Sequence, residues 1–328
     1  MAYKLKLKQS LRDGVRRIAA DQLDKALTEP ANEAERAVWV HETRKSLKRT
    51  RALLRLVRTG LDPATWEAEN GALRDIARSL SPMRDRDILR QVLAGVAADG
   101  DAALVAAIGR CRAWLEASDE QAVSSTDSAQ LLADARTQLV AARDRLARLS
   151  VEGELAEVLA EGIAGGQRRG ARALAQVEAE PSAENLHDLR KAVQTTWRHM
   201  VLVQAAWPDV MAARGAAARQ LAQLLGEVQD FAVLATAAKP PRGSVAGVRR
   251  DAALIVAACR SGQLARQTVA IPAAARLFAC PPKSAGREIA ACWQASVLMA
   301  AEVARRPKVP GGVHAQTMRH TRGRRRTA

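Results

Sequence analysis

The chain is predicted to be all-α, built as two similar helical bundles from an internal duplication. Its composition is rich in Ala and Arg, with 48% hydrophobic residues but only 3% aromatic ones. That balance suits closely packed helices and gives little support to a sheet. No stretch alternates β-branched and polar residues, and no Gly-rich turn joins a strand pattern to a helix pattern. Two unlike motifs also recur at nearly one offset. ENLHDLRKA at 184–192 restates VWVHETRKS at 38–46, and LGEVQDFAVL at 225–234 restates LSPMRDRDIL at 80–89. A shared offset for two different motifs is the mark of a repeat, which places the bundles at 1–150 and 151–304.

The elements follow in order. A helix is expected from about Leu7 to Leu27, with Leu11, Val15 and Ile18 on one side and Lys8, Arg12 and Arg16 recurring every four residues on another. Glu29-Pro30 ends it, and Asn32 is placed to cap the next helix. That second helix runs to about Thr59, where Gly60 and Pro63 stop it. Shorter helices are expected over 63–80 and 83–97, parted by Ser81-Pro82, and then over 101–118 and 127–149. The second bundle repeats the plan, with a basic helix over 184–206 and loops at KPPRGS (239–244) and CPPKS (280–284). Beyond Ala304 the sequence is basic and rich in Pro and Gly without apolar periodicity, so 305–328 reads as a disordered tail.

The stretch His41–Arg58, HETRKSLKRTRALLRLVR, concentrates the chemistry. As a helix of about 27 Å, it places Arg44, Lys45, Lys48, Arg51, Arg55 and Arg58 with His41 within an arc of roughly 140°. Leu47, Leu53, Leu54 and Val57 take the opposite side. Glu42 is its only acid, and the like-charged neighbours three or four apart cost the helix roughly 1–3 kcal/mol. A solvated helix face interleaves both signs, so the stripe is read as meeting an anion longer than one phosphate. Neutralisation by acids on neighbouring helices stays open as the rival reading. Positions corresponding to Lys48, Arg51 and Arg55 hold Gln194, Trp197 and Val201, so the first bundle is expected to contribute more.

A length of 328 residues leaves room for two ordinary domains and a sizeable core. A net charge of +16 and a pI near 10.7 point to a polyanion or an anionic surface as partner. The tail carries eight cations (Arg305, Arg306, Lys308, Arg319, Arg322, Arg324, Arg325, Arg326) and no acid, which makes weak non-specific nucleic-acid binding the main alternative function. Cys111, Cys259, Cys280 and Cys292 form no CxxC pair, so buried free thiols and no zinc site are expected. MAYKLKLKQS has no apolar core of a signal peptide, and no window of about 18 apolar residues suits a membrane span. A cytoplasmic protein with no membrane association is expected.

The residues HxxRKxxKRxRxxxR at 41–55, HxxRK at 187–191, and the segments SPMRDRDIL and GEVQDFAVL resemble the CHAD family, whose name abbreviates conserved histidine α-helical domain. The resemblance covers about residues 1–304. It implies two pseudo-symmetric helical bundles whose basic helices face a shared concave surface, binding of inorganic polyphosphate, and association with polyphosphate granules. Carried over by position, the ligand-facing set is His41, Arg44, Lys45, Lys48, Arg51 and Arg55, then His187, Arg190, Lys191 and Arg198. Arg12, Arg16, Arg58, Arg168, Arg169 and Arg172 are further candidates. The ExExK strand of the triphosphate-hydrolysing CYTH domain that many relatives carry is absent. Polyphosphate offers a close row of anionic oxygens and no base, which Arg forks and compact Lys charges match.

No catalytic residue, metal or cofactor is assigned. For His41 and His187, anion contact or a buried hydrogen-bond donor is the first reading, metal ligation the second and catalysis the last, because neighbouring cations repel a metal. A metal-dependent phosphate-chain hydrolase would need carboxylates near the phosphate, and Asp85, Asp87 and Asp230 are instead read as neutralising or capping groups. The six tryptophans are read as core residues, which argues against base stacking.

Overall fold

A computed structural model describes residues 3–28, 30, 32–81, 92–96, 101–117, 125–240 and 243–305. The protein is all-α, and the described residues contain no strand. Its helices are α1 (Leu11–Leu27), α2 (Glu33–Leu56), α3 (Pro63–Ser79), α4 (Ala102–Ala117), α5 (Ser125–Ala147), α6 (Leu155–Ala179), α7 (Ala183–Leu202), α8 (Pro208–Ala237), α9 (Ala246–Leu277) and α10 (Pro282–Arg305). Residues 92–96 are also helical. The rest of the 83–97 helix, Asp85 and Asp87 within it, and tail residues 306–328 lie outside the described residues.

Local chemistry sets the ends. Helix α1 begins at Leu11 rather than Leu7, because the Ser10 hydroxyl accepts the Asp13 amide at 3.1 Å and fixes the cap there. Asn32 caps α2 as expected, its Oδ1 accepting the Glu35 amide at 3.0 Å. The α2 helix ends at Leu56, and Arg58–Gly60 forms a 3-10 turn. Gly60 is required there by close approach, since a Cβ would lie 2.5 Å from the Glu152 carbonyl. Pro63 opens α3 behind an Asp62 cap.

Three buried clusters hold the helices. The largest joins α1, α2, α3 and α5 to the first half of α6, the end of α7 and α10, so it draws on side chains from both sides of residue 150. A second lies among α6, α7, α8 and α9, and a third joins Leu93, Val96 and α4 to α8 and α9. Helices α6 and α7 run through the first two clusters and key them together. Cys111 and Cys259 are buried, but Cys280 is exposed and Cys292 half-buried, because the latter two lie at a loop and on an outer turn of α10. Trp293 is buried, whereas Trp207 is 50% exposed, and Trp197 packs beneath two arginines rather than in the core.

Helix α6 crosses α2 so closely that a Cβ on Gly162 would sit 1.9 Å from the Leu56 carbonyl oxygen. Gly162→Ala should therefore destabilise the fold by about 3 kcal/mol or more, as backbone must move. Gly71→Ala, where a Cβ meets nothing within 4 Å on α3, should stabilise by about 0.5–1 kcal/mol. Urea denaturation of the two variants measures both signs.

Candidate anion-binding site

The N-terminal end of each basic helix starts from a side-chain cap, Asn32 for α2 and Ser182 for α7. The apolar face of α2 then fixes its rotation: Leu47, Leu53, Leu54, Leu56 and Val57 are fully buried. The opposite face is left to the cations. On α7, Leu189, Ala192, Val193 and Leu202 do the same.

Those rotations turn the two stripes into one cavity of about 850 Å³. Arg44, Lys48, Arg51 and Arg55 enter it from α2, and His187, Arg190, Lys191 and Arg198 from α7. Helix α6 adds Arg169 and Arg172, and α3 adds Arg74 and Arg78. Among the described residues that line it, eleven are Arg or Lys and a single one, Asp188, is acidic. Carboxylates gather elsewhere: Asp62, Glu152, Glu154, Glu157 and Glu161 line a separate cavity of about 480 Å³. Helix α6 is segregated along its own length, with Glu157 and Glu161 in one cavity and Arg169 and Arg172 in the other.

Individual cations are held in distinct ways. The Arg44 Nη1 donates to the Ala77 carbonyl and the Ser81 hydroxyl at the end of α3. Arg51 Nε donates to Asn70 Oδ1 at 3.0 Å. The Arg190 side chain lies across Gly226 of α8, where a Cβ would come within 3.0 Å of its Nη2, one turn before Asp230. Arg198 Nη1 donates to the Gln194 carbonyl at 2.8 Å, and its guanidinium sits 5.1 Å from the Trp197 ring. Lys191 pairs with Asp188.

Burial and mutual repulsion leave their mark on these groups. The Arg55 guanidinium is pushed down to about 9 by desolvation and then by Arg51, Arg169 and Arg198. Arg198 falls to about 10, through burial first. Both remain cationic at neutral pH. Arg51 and Arg169 are lowered for the same first reason. His187 is lowered by burial and then by Lys191 and Arg190. Like charges crowded in a half-buried site favour an incoming anion.

The structure does not bring every candidate into the cavity. His41 and Lys45 lie outside its lining, His41 exposed and Lys45 half-buried beside Glu42; Lys45 Nζ is 3.0 Å from that carboxylate and His41 Nε2 3.9 Å. Arg58 falls in the 3-10 turn after α2 and stacks 4.1 Å over the Trp66 ring at the cavity edge. Arg16 is a structural clamp, donating to the Leu149 and Arg148 carbonyls at 2.9 and 3.0 Å. Arg12 is exposed on α1, away from the lining, and Arg168 points toward Glu161 at 3.7 Å. Sequence reasoning missed Arg74 and Arg78. The four-residue series Trp66, Asn70, Arg74, Arg78 carried a signal for them.

The buried hydrogen-bond donor is neither motif histidine but His199. Its Nε2 lies 3.0 Å from the Ala52 carbonyl of α2, and its place on the apolar face of α7 gave the clue. Among the described residues, no group of three or more His, Cys, Asp or Glu side chains could hold a metal ion, and no helix is long and apolar enough to cross a membrane.

A match to the CHAD domain covers residues 14–239. The chain belongs to the CHAD family. The family is associated with polyphosphate and is consistent with polyphosphate binding in general. No curated protein matches the chain significantly.

Burial holds His199 neutral, with its pKa down at about 3 against an ordinary 6.5. The unfolded chain binds the extra proton between these values, so folding stability is fully present above about pH 6.5 and declines as pH falls toward 3. The slope reaches about 1.4 kcal/mol per pH unit. In His199→Gln that contribution should vanish, and denaturation midpoints measured from pH 7 to pH 4 should fall less steeply than in the wild type.

Proposed function

We propose that this CHAD protein binds inorganic polyphosphate in the cavity between α2, α3, α6 and α7, associates with polyphosphate granules through it, and is not itself an enzyme. The observation that carries the reading is the convergence of eleven Arg and Lys side chains from four helices on one cavity with a single lining carboxylate among the described residues. A site of that kind selects for many closely spaced negative charges and asks for no base, sugar or ring. Guanidinium forks bind adjacent phosphoryl oxygens two at a time, while Lys48 and Lys191 follow a flexible chain as compact charges. Affinity should rise with chain length and fall with salt, as released counterions contribute to binding.

The mutual repulsion of the site cations gives a sharp test. Arg55→Gln removes a buried, mutually repelled cation, so it should weaken polyphosphate binding while raising the stability of the unliganded protein by on the order of 1 kcal/mol. Calorimetric titration and thermal denaturation read the two effects separately. A loss of stability together with unchanged binding would remove Arg55 from the site.

A second experiment separates the cavity from the tail. Deleting 306–328 should leave polyphosphate affinity largely intact and lower any binding of DNA or RNA, because the deleted segment carries seven of the eight tail cations. Loss of polyphosphate binding on this deletion would favour the nucleic-acid reading of a sticky tail. Incubation with polyphosphate or triphosphate, with or without magnesium or manganese, should release no orthophosphate above background; steady turnover would overturn the non-enzyme reading.

A further inference from the structure

Helix α3 belongs to neither HxxRK motif, yet it reaches the cavity along one stripe. Trp66, Asn70, Arg74 and Arg78 follow one another at four-residue intervals over about 18 Å of helix, and Trp66, Arg74 and Arg78 line the cavity directly. The same helix orients cations of α2. Asn70 Oδ1 accepts Arg51 Nε at 3.0 Å. Arg74 lies close enough to Arg51 to be the first neighbouring charge, after burial, that lowers its pKa. The Arg74 fork already holds an anion, with Nε 3.0 Å and Nη2 3.4 Å from the two oxygens of Asp75. Both members of that pair are about half exposed, at 51% and 54%, so it contributes little to stability. A phosphoryl group presents the same two-oxygen edge with more charge.

We propose that α3 is a working wall of the polyanion site beside α2, α6 and α7. Arg74 and Arg78 contact the phosphate chain, a phosphoryl group displacing Asp75 from the Arg74 fork. Asn70 is a positioning residue that holds the Arg51 guanidinium toward the ligand. The inference rests on the polyphosphate reading above, and it gives the first half of the chain two helices of cations, α2 and α3, facing α6 and α7 of the second half.

The test uses the full chain and a long-chain polyphosphate, titrated over a salt series. Arg74→Gln with Arg78→Gln should lower affinity by about tenfold or more. The slope of log affinity against log salt should shrink by about 0.7 for each cation removed. Both side chains are exposed, so the melting temperature should change little. Asn70→Ala removes no charge: affinity should fall severalfold with the salt slope unchanged, and Asn70→Gln should recover part of the loss. Wild-type affinity and slope in the double variant, beside a wild type that binds, would overturn the α3 wall alone. Unchanged affinity in Asn70→Ala would overturn the positioning role. A wild type that binds no polyphosphate would overturn the underlying reading and the α3 wall with it.

Discussion

The architecture depends on holding like charges together in a half-buried space. Arg51, Arg55, Arg169 and Arg198 all lose hydration in the cavity, and each is disfavoured further by neighbouring arginines. Their few hydrogen bonds and ring contacts leave that repulsion to be opposed from beneath. The cohesion comes from the main core, where the apolar side of α2 packs with α1, α3, α5, α6 and α10. Burial of large aliphatic side chains at roughly 1.5–3 kcal/mol each is enough to carry several such repulsions. Under the proposed function, the site is preorganised at the expense of fold stability, and a polyanion would restore what the core has had to oppose.

The register of α2 against α7 decides whether their cations meet. Several contacts fix it away from the cavity. His199 of α7 reaches the backbone of α2 at Ala52. Gly166 of α6 leaves room for that imidazole, since a Cβ there would stand 3.3 Å from Nδ1. Residues 3–9 form an N-terminal strap over the same junction. The Leu5 amide donates to the Leu202 carbonyl at 2.9 Å, and the Tyr3 hydroxyl donates to the Arg49 carbonyl at 2.8 Å. Arg17 ties the strap to α1 by donating to Gln9 and to the Lys4 carbonyl. The bonds to Ala52, Arg49 and Leu202 use backbone of α2 and α7, so they constrain helix placement without consuming the cations that line the cavity.

Segregation of charge is the complementary device. Several carboxylates are committed to work outside the cavity: Glu69 is buried against Arg145, joining α3 to α5, and Asp24 receives Arg143 from α5 at 2.5 Å. Asp251 does the same for Arg110 between α4 and α9. These pairs staple helices together outside the cavity. The rival expectation, a stripe neutralised by acids from neighbouring helices, finds support in Asp188, which pairs with Lys191, and in Asp75, which pairs with Arg74.

Helicity, the caps at Asn32 and the basic face of α2 were legible in the amino-acid sequence, because they arise from neighbours within one or two turns. The set carried over by resemblance also named eight residues that do line the cavity. Local periodicity, however, cannot say which part of a stripe is covered. His41 and Lys45 belong to the same arc as Arg44, yet they lie outside the lining, beside Glu42. Arg16 shares the periodicity of a binding face but is taken by carbonyls more than a hundred residues away. Arg74 and Arg78 join the site because α3 folds back along α2, a consequence of Leu73 and Ile76 entering the common core. The sequence by itself determined which helices form and which of their faces are charged. Only the tertiary structure decided which charges converge, since convergence depends on long-range packing of apolar faces that carry no record of the partner they will meet.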